Sequence, residues 1–250
     1  MSPEVHPSAA VGFHRGADTY RRGRPTYPAA AVDLVVEAGG LGQGGRVLDV
    51  AAGTGALTRP LVERGSWVAA VEPVDAMRAI LAATVPDAHP CAGLAEALPF
   101  GESVFDAVTV GQAFHWFDSE GARDDIRRVL KHRGVLALLW NVRDERDPLQ
   151  SALTALMEPY RRATPSHRGG PWRAAFDDTS GFDPLERSSF PMEQRVDPDA
   201  LVDRVLSVSF MAALDDDERA EVERRVRAVA DGRDEIILPY RTDVFLTRPR

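Results

Sequence analysis

Apolar residues along this chain first repeat with a helical period and then gather into short unbroken runs. Val32, Val35 and Val36 stand at i, i+3 and i+4, which predicts a helix over 29–38 ending at Gly39-Gly40. From Arg46 two kinds of signal alternate. Val47–Val50 predicts a strand, Leu57 and Leu61 a helix that stops at Gly65, and Trp67–Val71 a second strand. Asp75 is placed to cap a helix whose Met77, Ile80, Leu81 and Thr84 form one stripe. A weak third strand falls near 88–93 and a fourth at Phe105–Val110. Ile126, Val129 and Leu130 mark a helix with Lys131, His132 and Arg133 in its last turn and Gly134 beyond it. Val135–Trp140 has no polar alternation, so a fifth strand buried on both faces is expected there.

Strand and helix alternating at this spacing imply right-handed crossovers and a parallel sheet covered by helices. After Trp140 the rhythm changes. Segments near 148–164, 199–213 and 216–230 read as helices, and 186–196 and Ile236–Leu246 as strands. The expected organisation is one domain over 1–250. Residues 1–28 are its lead-in or a lid, 46–141 its ligand-binding core, 142–234 a helical cap with the sixth strand, and 235–250 the closing strand.

Composition narrows the function. A chain of 250 residues, 44% hydrophobic and 27% charged, suits one α/β domain with a full core. A net charge of -8 argues against nucleic acid or an anionic membrane as partner. Lys131 is the only lysine among 30 basic residues, an arginine bias that reads as the mark of a GC-rich bacterial genome. Cys91 stands alone, so neither an internal disulfide nor a cysteine-rich metal site is expected. The six histidines show no metal-ligand spacing, so no metal is expected. No segment has the apolar length of a signal peptide or a membrane span, so a cytoplasmic protein is expected.

The segment Val47-Leu-Asp-Val-Ala-Ala-Gly-Thr-Gly-Ala56 lies between a predicted strand and helix. Gly53 and Gly55 permit a tight turn and a close approach of ligand to backbone. The helix start beyond them favours an anionic ligand group. Asp49, an acid inside an apolar strand, either caps the loop's N–H groups or holds the loop together with a ligand amine or water network. Glu72 ends the second strand 17 residues past Gly55, where a carboxylate can accept hydrogen bonds from both hydroxyls of a ribose. The bland alternative is a cap for the helix after Pro73. A dinucleotide fingerprint would place a small residue where Thr58 stands.

These motifs, in order, resemble the class I S-adenosylmethionine-dependent methyltransferases, in particular the type 11 group and its trans-aconitate methyltransferase-like branch. The resemblance is carried by VLDVAAGTG (47–55), VAAVEP (68–73), AEALPF (95–100), FDAVTVGQAFHWFD (105–118) and GVLALLWN (134–141). Tyr20–Pro28 and Leu238–Asp243 look like the group's approach segment and closing strand. It implies an α/β, Rossmann-like, seven-stranded, mostly parallel sheet with helices on both faces and a helical cap inserted after strand 5. It implies S-adenosylmethionine as cofactor, its methionine part held by the loop of Ala51, Gly53, Thr54 and Gly55, with Asp49 also among the cofactor-binding residues. The ribose would lie on Glu72 beside Pro73, the adenine against Ala95 and Glu96, and Gln112 would touch the cofactor. Leu94 stands where many relatives carry an acid, so adenine recognition rests on backbone groups and apolar packing.

The chemistry expected is in-line methyl transfer to a small-molecule acceptor bearing a carboxylate, hydroxyl or amine. His115 is the candidate general base or orienting group. Tyr20, Arg24, Trp116 and Trp140 join it as candidate walls of the acceptor pocket. Two rival readings share the glycine loop: a non-catalytic S-adenosylmethionine-binding protein, and an NAD-dependent oxidoreductase, which leaves AEALPF and QAFHWF unexplained. The acceptor itself and the oligomeric state are not encoded in any motif.

Overall fold

The computed structural model describes residues 23–42, 44–162, 164–168, 170–177, 181–230 and 232–250. Seven strands form one sheet: β1 (Arg46–Val50), β2 (Trp67–Val71), β3 (His89–Cys91), β4 (Phe105–Gly111), β5 (Leu130–Arg143), β6 (Glu186–Val196) and β7 (Ile236–Thr247). Their order is β3-β2-β1-β4-β5-β7-β6. The first five pair in parallel, and β7 runs antiparallel to both its neighbours. The expected Rossmann-like, mostly parallel seven-stranded sheet is therefore the fold observed. The reading made on Tyr20, and residues 1–22 of the expected lead-in or lid, fall outside the described residues.

Period-two alternation divides the strands between two cores. Leu48, Val50, Val108, Val110, Leu136 and Leu138 face α4 (Ser119–Val129), packing on Ile126, Val129, Phe105 and Phe114. Val47, Ala107, Val135, Ala137 and Leu139 face the other way, onto Val32 and Val35 of α1 (Ala29–Ala38) and Leu61 of α2 (Thr58–Val62). Both faces are thus covered, which explains why β5 reads as an unbroken apolar run. A third core joins α5 (Pro148–Met157), α6 (Pro198–Leu206) and α8 (Asp216–Ala230) to Leu238 and Tyr240 at the start of β7. The Asp147 and Asp197 carboxylates cap α5 and α6, accepting from the Gln150 and Ala200 N–H groups at 2.9 and 2.7 Å. A short α7 (Ser209–Ala212) follows α6. Among the described residues no helix is long and apolar enough to cross a membrane.

Two local expectations are corrected. Helix α4 ends at Val129, and Lys131, His132 and Arg133 belong to β5 instead of to a helical last turn. Leu130 pairs with Phe105, a register shift follows, and Arg133 turns the chain at φ 69°. Lys131 then reaches Asp106 at 2.8 Å. Burial of Leu130 against β4 outweighs the basic C-terminal pattern. Asp75 is not the cap of α3 (Asp75–Thr84) either. It lies inside the first turn and pairs with Arg78 at 2.5 Å, while the Val74 N–H donates to Glu72.

Asp49 is the tie at the centre of the sheet. Its Oδ2 accepts from the Thr58 hydroxyl at 2.6 Å and its Oδ1 from the Thr109 hydroxyl at 2.9 Å, joining β1 to α2 and β4. It caps no loop N–H. Thr58, which breaks the dinucleotide spacing, is the residue whose hydroxyl makes this tie. Burial pushes the Asp49 carboxyl up to about 6, against the lowering effect of the two hydroxyls, and Glu72 adds repulsion.

Phe105 is fully buried between sheet and α4, edge-on to Phe100. Phe105→Ala is expected to cost about 3–5 kcal/mol in urea unfolding, whereas Ile237→Ala, at a position 41% exposed, should stay within about 0.5 kcal/mol. For Asp49 the folded state favours the protonated form. Its stabilisation is whole below the unfolded carboxyl range and is lost as pH rises through about 6. Asp49→Asn removes that titration. In the cofactor-free protein the variant should gain about 3 kcal/mol on wild type between about pH 3 and about pH 7. Parallel stability curves for the two proteins would contradict this.

Candidate active site

The order β3-β2-β1-β4-β5 reverses direction between β1 and β4. The chain leaves β1 toward the α2 face and β4 toward the α4 face, so a crevice opens between them at the carboxyl ends. There the structure has a cavity of about 230 Å³. One end is bounded by Val50, Ala51, Gly53, Glu72, Pro73 and Met77, with Leu94, Ala95 and Glu96 beside them. The other is bounded by Asn141, Val142, Arg143, His167, Arg168 and Arg204. Gly111, Gln112, His115 and Trp116 also contribute to the wall.

Gly53 lies at φ 58°, and a Cβ added there would meet nothing nearer than Met77 Sδ at 4.0 Å. The space in front of it is open, so the glycine is a place where a ligand can lie on the backbone. Gly55 serves differently. Its Cβ would come within 3.1 Å of Val85 Cγ2, and neither cavity is lined by it. Ala51 and Gln112, at the tips of β1 and β4, hold φ 53° and 62° without being glycine. Such strain clusters at ligand sites. Thr54 lines a smaller cavity of about 40 Å³ together with Asp49, Arg24 and Gln112. Asp49 lines this smaller cavity and not the main one, with which it shares Arg24, Ala51, Gly53 and Gln112.

Glu72 is 4% exposed yet lines the cavity. Its Oε2 accepts from the Gly53 N–H and its Oε1 from the Val74 N–H, both at 2.9 Å. One carboxylate thus caps α3 and pins the glycine loop, and each oxygen keeps further acceptor capacity. Burial raises its pKa, partly offset by those two backbone donors and by Arg78. Ala95 is buried at the wall, and Glu96 accepts from the Asp118 N–H at 3.0 Å, at the start of α4. Gln112 donates its backbone N–H to Leu139 O at 2.8 Å and its Nε2 to Asn141 O at 3.5 Å.

His115 lines the cavity, and its Nδ1 accepts from Trp140 Nε1–H at 3.3 Å. Burial, then the nearby His167 and Arg24, press its pKa down to about 3. The ring is neutral at physiological pH, and with Nδ1 accepting, its proton sits on Nε2. Trp140 itself is 1% exposed and packs on Trp172, behind the wall. The expectation that it lines the acceptor pocket is corrected: it stands behind His115 and His167, which line the cavity. Arg24 lines the cavity and donates Nη2 to Ser207 O at 3.3 Å. Among the described residues no three His, Cys, Asp or Glu side chains gather to hold a metal.

Sequence reasoning missed Arg143, His167, Arg168 and Arg204. Arg143 follows from carrying the fifth strand three residues past Trp140. Arg204 has a clearer signal: it interrupts the apolar stripe Leu201, Val202, Val205 and Leu206 of α6, and a charge on the buried stripe of a helix calls for a partner.

Comparison with known proteins places this geometry in context. A methyltransferase-domain family model matches residues 48–138. An uncharacterised methyltransferase of Mycobacterium tuberculosis is 35% identical over 218 residues, covering 87% of this chain and 85% of that one. Among solved structures, a putative type II methyltransferase from Anaeromyxobacter dehalogenans superposes with a TM-score of 0.60 at 23% identity, over 90% of this chain and 96% of that one. Phospholethanolamine N-methyltransferase 2 of Haemonchus contortus, solved with phosphomonomethylethanolamine and S-adenosylhomocysteine, superposes with a TM-score of 0.61 at 14% identity. It covers 99% of this chain and 61% of that one. With the sheet order, the open glycine loop and kinship over most of its length, the chain belongs to the class I S-adenosylmethionine-dependent methyltransferase family, and it is an enzyme of that family.

Proposed function

We propose that the cavity binds S-adenosylmethionine at its Gly53–Glu72 end and a small-molecule acceptor at the other, and that the protein transfers the methyl group between them. The observation that carries this reading is the pairing of an open glycine turn with a buried carboxylate that grips the same turn. When bound, the cofactor supplies a methyl group on a sulfonium, already activated toward in-line attack.

The residues fit that cofactor. Glu72 offers acceptors to paired hydroxyls, Gly53 leaves its backbone uncovered, and Leu94, Ala95 and Met77 supply apolar surface. The protein's share of the reaction is to hold the acceptor in line and to exclude water. His115 is assigned to orientation. As a neutral ring donating through Nε2, it fixes an acceptor oxygen or nitrogen, and its low basicity makes it a poor proton acceptor. Trp140 fixes its tautomer and Trp116 lies next to it at the wall. The finer kinship with the trans-aconitate methyltransferase-like branch belongs to this proposal. It is supported by the motifs at 20–28 and 238–243.

Calorimetry with S-adenosylmethionine, S-adenosylhomocysteine and NAD tests the reading. The first two are expected to bind and NAD not to. Gly53→Val is expected to abolish binding by filling the open space. Glu72→Ala should weaken it by about 1–3 kcal/mol. Binding of NAD alone, or unchanged affinity in both variants, would overturn the site.

The His115 assignment has its own test. With its folded pKa pressed below the unfolded value, the neutral ring is the form the fold stabilises; that contribution is whole above pH about 6.5 and is lost only as pH falls through about 3. Imidazole NMR signals of His115, assigned by comparison with His115→Gln, are therefore expected not to titrate between about pH 5 and about pH 8. A midpoint inside that range would overturn it.

A further inference from the structure

Where the cavity meets α6, two arginines stand together without an acid. Arg143 ends β5 and is paired in register with Tyr240 of β7. Arg204 comes from α6, is 6% exposed, and donates Nε to the Tyr240 hydroxyl at 2.9 Å. Its Nη1 is buried and has no partner. Arg143 has only the thioether of Met157, 3.7 Å from its Nη2. Both side chains line the cavity.

The nearby carboxylates are committed elsewhere. Glu145 pairs with Arg168 at 2.7 Å and Glu158 with Arg161 at 2.9 Å. Among the described residues no Asp or Glu comes within 4.0 Å of Arg143 or Arg204. Glu145 interacts with Arg143 through space but gives its ion pair to Arg168, and the Arg204 fork meets a neutral phenol. Two cations brought out of water side by side are costly unless an anion joins them. The strain is visible in both partners. Burial, then the neighbouring Arg204, drag the Arg143 guanidinium down to about 9. The Tyr240 phenol, which burial alone would raise, is pulled below its ordinary value by Arg204 and Arg143.

We propose that Arg143 and Arg204 form an oxyanion subsite, and that the methyl acceptor is an anion whose carboxylate or phosphate group occupies it. A guanidinium fork matches either group with two parallel N–H donors, and Arg204, a lining residue of the cavity, keeps a buried Nη1 without a hydrogen-bond acceptor. The subsite sits in the same cavity as His115. The acceptor is thus anchored through its charged group on the arginines, with its nucleophilic atom held elsewhere on the molecule. This rests on the reading of the other end of the cavity as the cofactor site.

The test separates the two. Protein saturated with S-adenosylhomocysteine is titrated, at fixed ionic strength, with malonate, with inorganic phosphate and with the uncharged malonamide, following Tm and heat of binding. At least one of the two anions is expected to bind and raise Tm, and malonamide is not. Whether malonate or phosphate binds more tightly identifies the acceptor group. Arg143→Met and Arg204→Met should weaken that anion by about tenfold or more, which corresponds to about 1.4 kcal/mol, with S-adenosylhomocysteine affinity unchanged. Arg143→Lys, which keeps the charge and loses the fork, should fall between.

A second readout guards against a merely structural role. Without added anion, Arg143→Met should melt at the wild-type temperature or above it, because an uncompensated cation has been removed. Equal anion binding in wild type and Arg143→Met, no response to either anion, or an anion-free Tm well below wild type would overturn the subsite. Failure of the wild type to bind S-adenosylhomocysteine would instead remove the cofactor reading beneath it.

Discussion

The architecture of this site turns on one carboxylate holding one turn of backbone. Glu72, at the end of β2, accepts from the N–H of Gly53 on the neighbouring β1–α2 loop and from the N–H that opens α3. The loop is bent into left-handed conformations at Ala51, Gly53 and Gly55; the glycines adopt them freely, whereas Ala51 holds its own only because its surroundings fix it. Glu72 fixes the loop from one side. Asp49 fixes the base of the same unit through the hydroxyls of Thr58 and Thr109. The crevice is therefore in place before any ligand enters, and the two acids that build it are kept in low-dielectric surroundings that raise both their pKa values.

From that anchor the rest of the cavity follows by topology. The strand order reverses beside the loop, so β4 and β5 carry their own ends to the same opening. The tip of β4 delivers Gln112 and His115, and the extended end of β5 delivers Asn141 and Arg143. The helices after β5 bury their own apolar stripe against the start of β7, and Arg204 and Phe210 reach the opening from that side. An aromatic layer of Trp140, Trp172, Phe114 and Phe245 backs His115 and sets its tautomer through a single N–H. The proposed cofactor binding, acceptor orientation and charge recognition thereby fall to different strand ends of one sheet.

Much of this was legible in the sequence because it is local. The apolar runs at 47–50, 67–71, 105–110 and 135–140 are buried on both faces, and such strands cannot hide their composition. Gly53 and Glu72 were legible because each sits at a strand end, where a turn and an acid have few other reasons to be. What escaped reading depends on distance in the chain. Trp140 looks like a pocket residue beside Asn141, but the rings of Trp172 and Phe245 enclose it. Leu130 ends a convincing helical stripe, yet its pairing with Phe105 draws it and Lys131 into the sheet. Arg143 and Arg204 are 61 positions apart in a chain rich in arginine, and only the closing strand brings both to Tyr240. No periodicity in the sequence reports a meeting arranged by a third element.

A crystal structure of the protein grown with S-adenosylhomocysteine tests the central claim most directly. The account predicts the ribose hydroxyls within hydrogen-bonding distance of Glu72, the homocysteine moiety lying on the uncovered backbone of Gly53, and the loop unmoved. Density for the nucleoside elsewhere in the molecule, or a Glu72 that still serves only Gly53 and Val74 while the ligand lies apart from it, would contradict it.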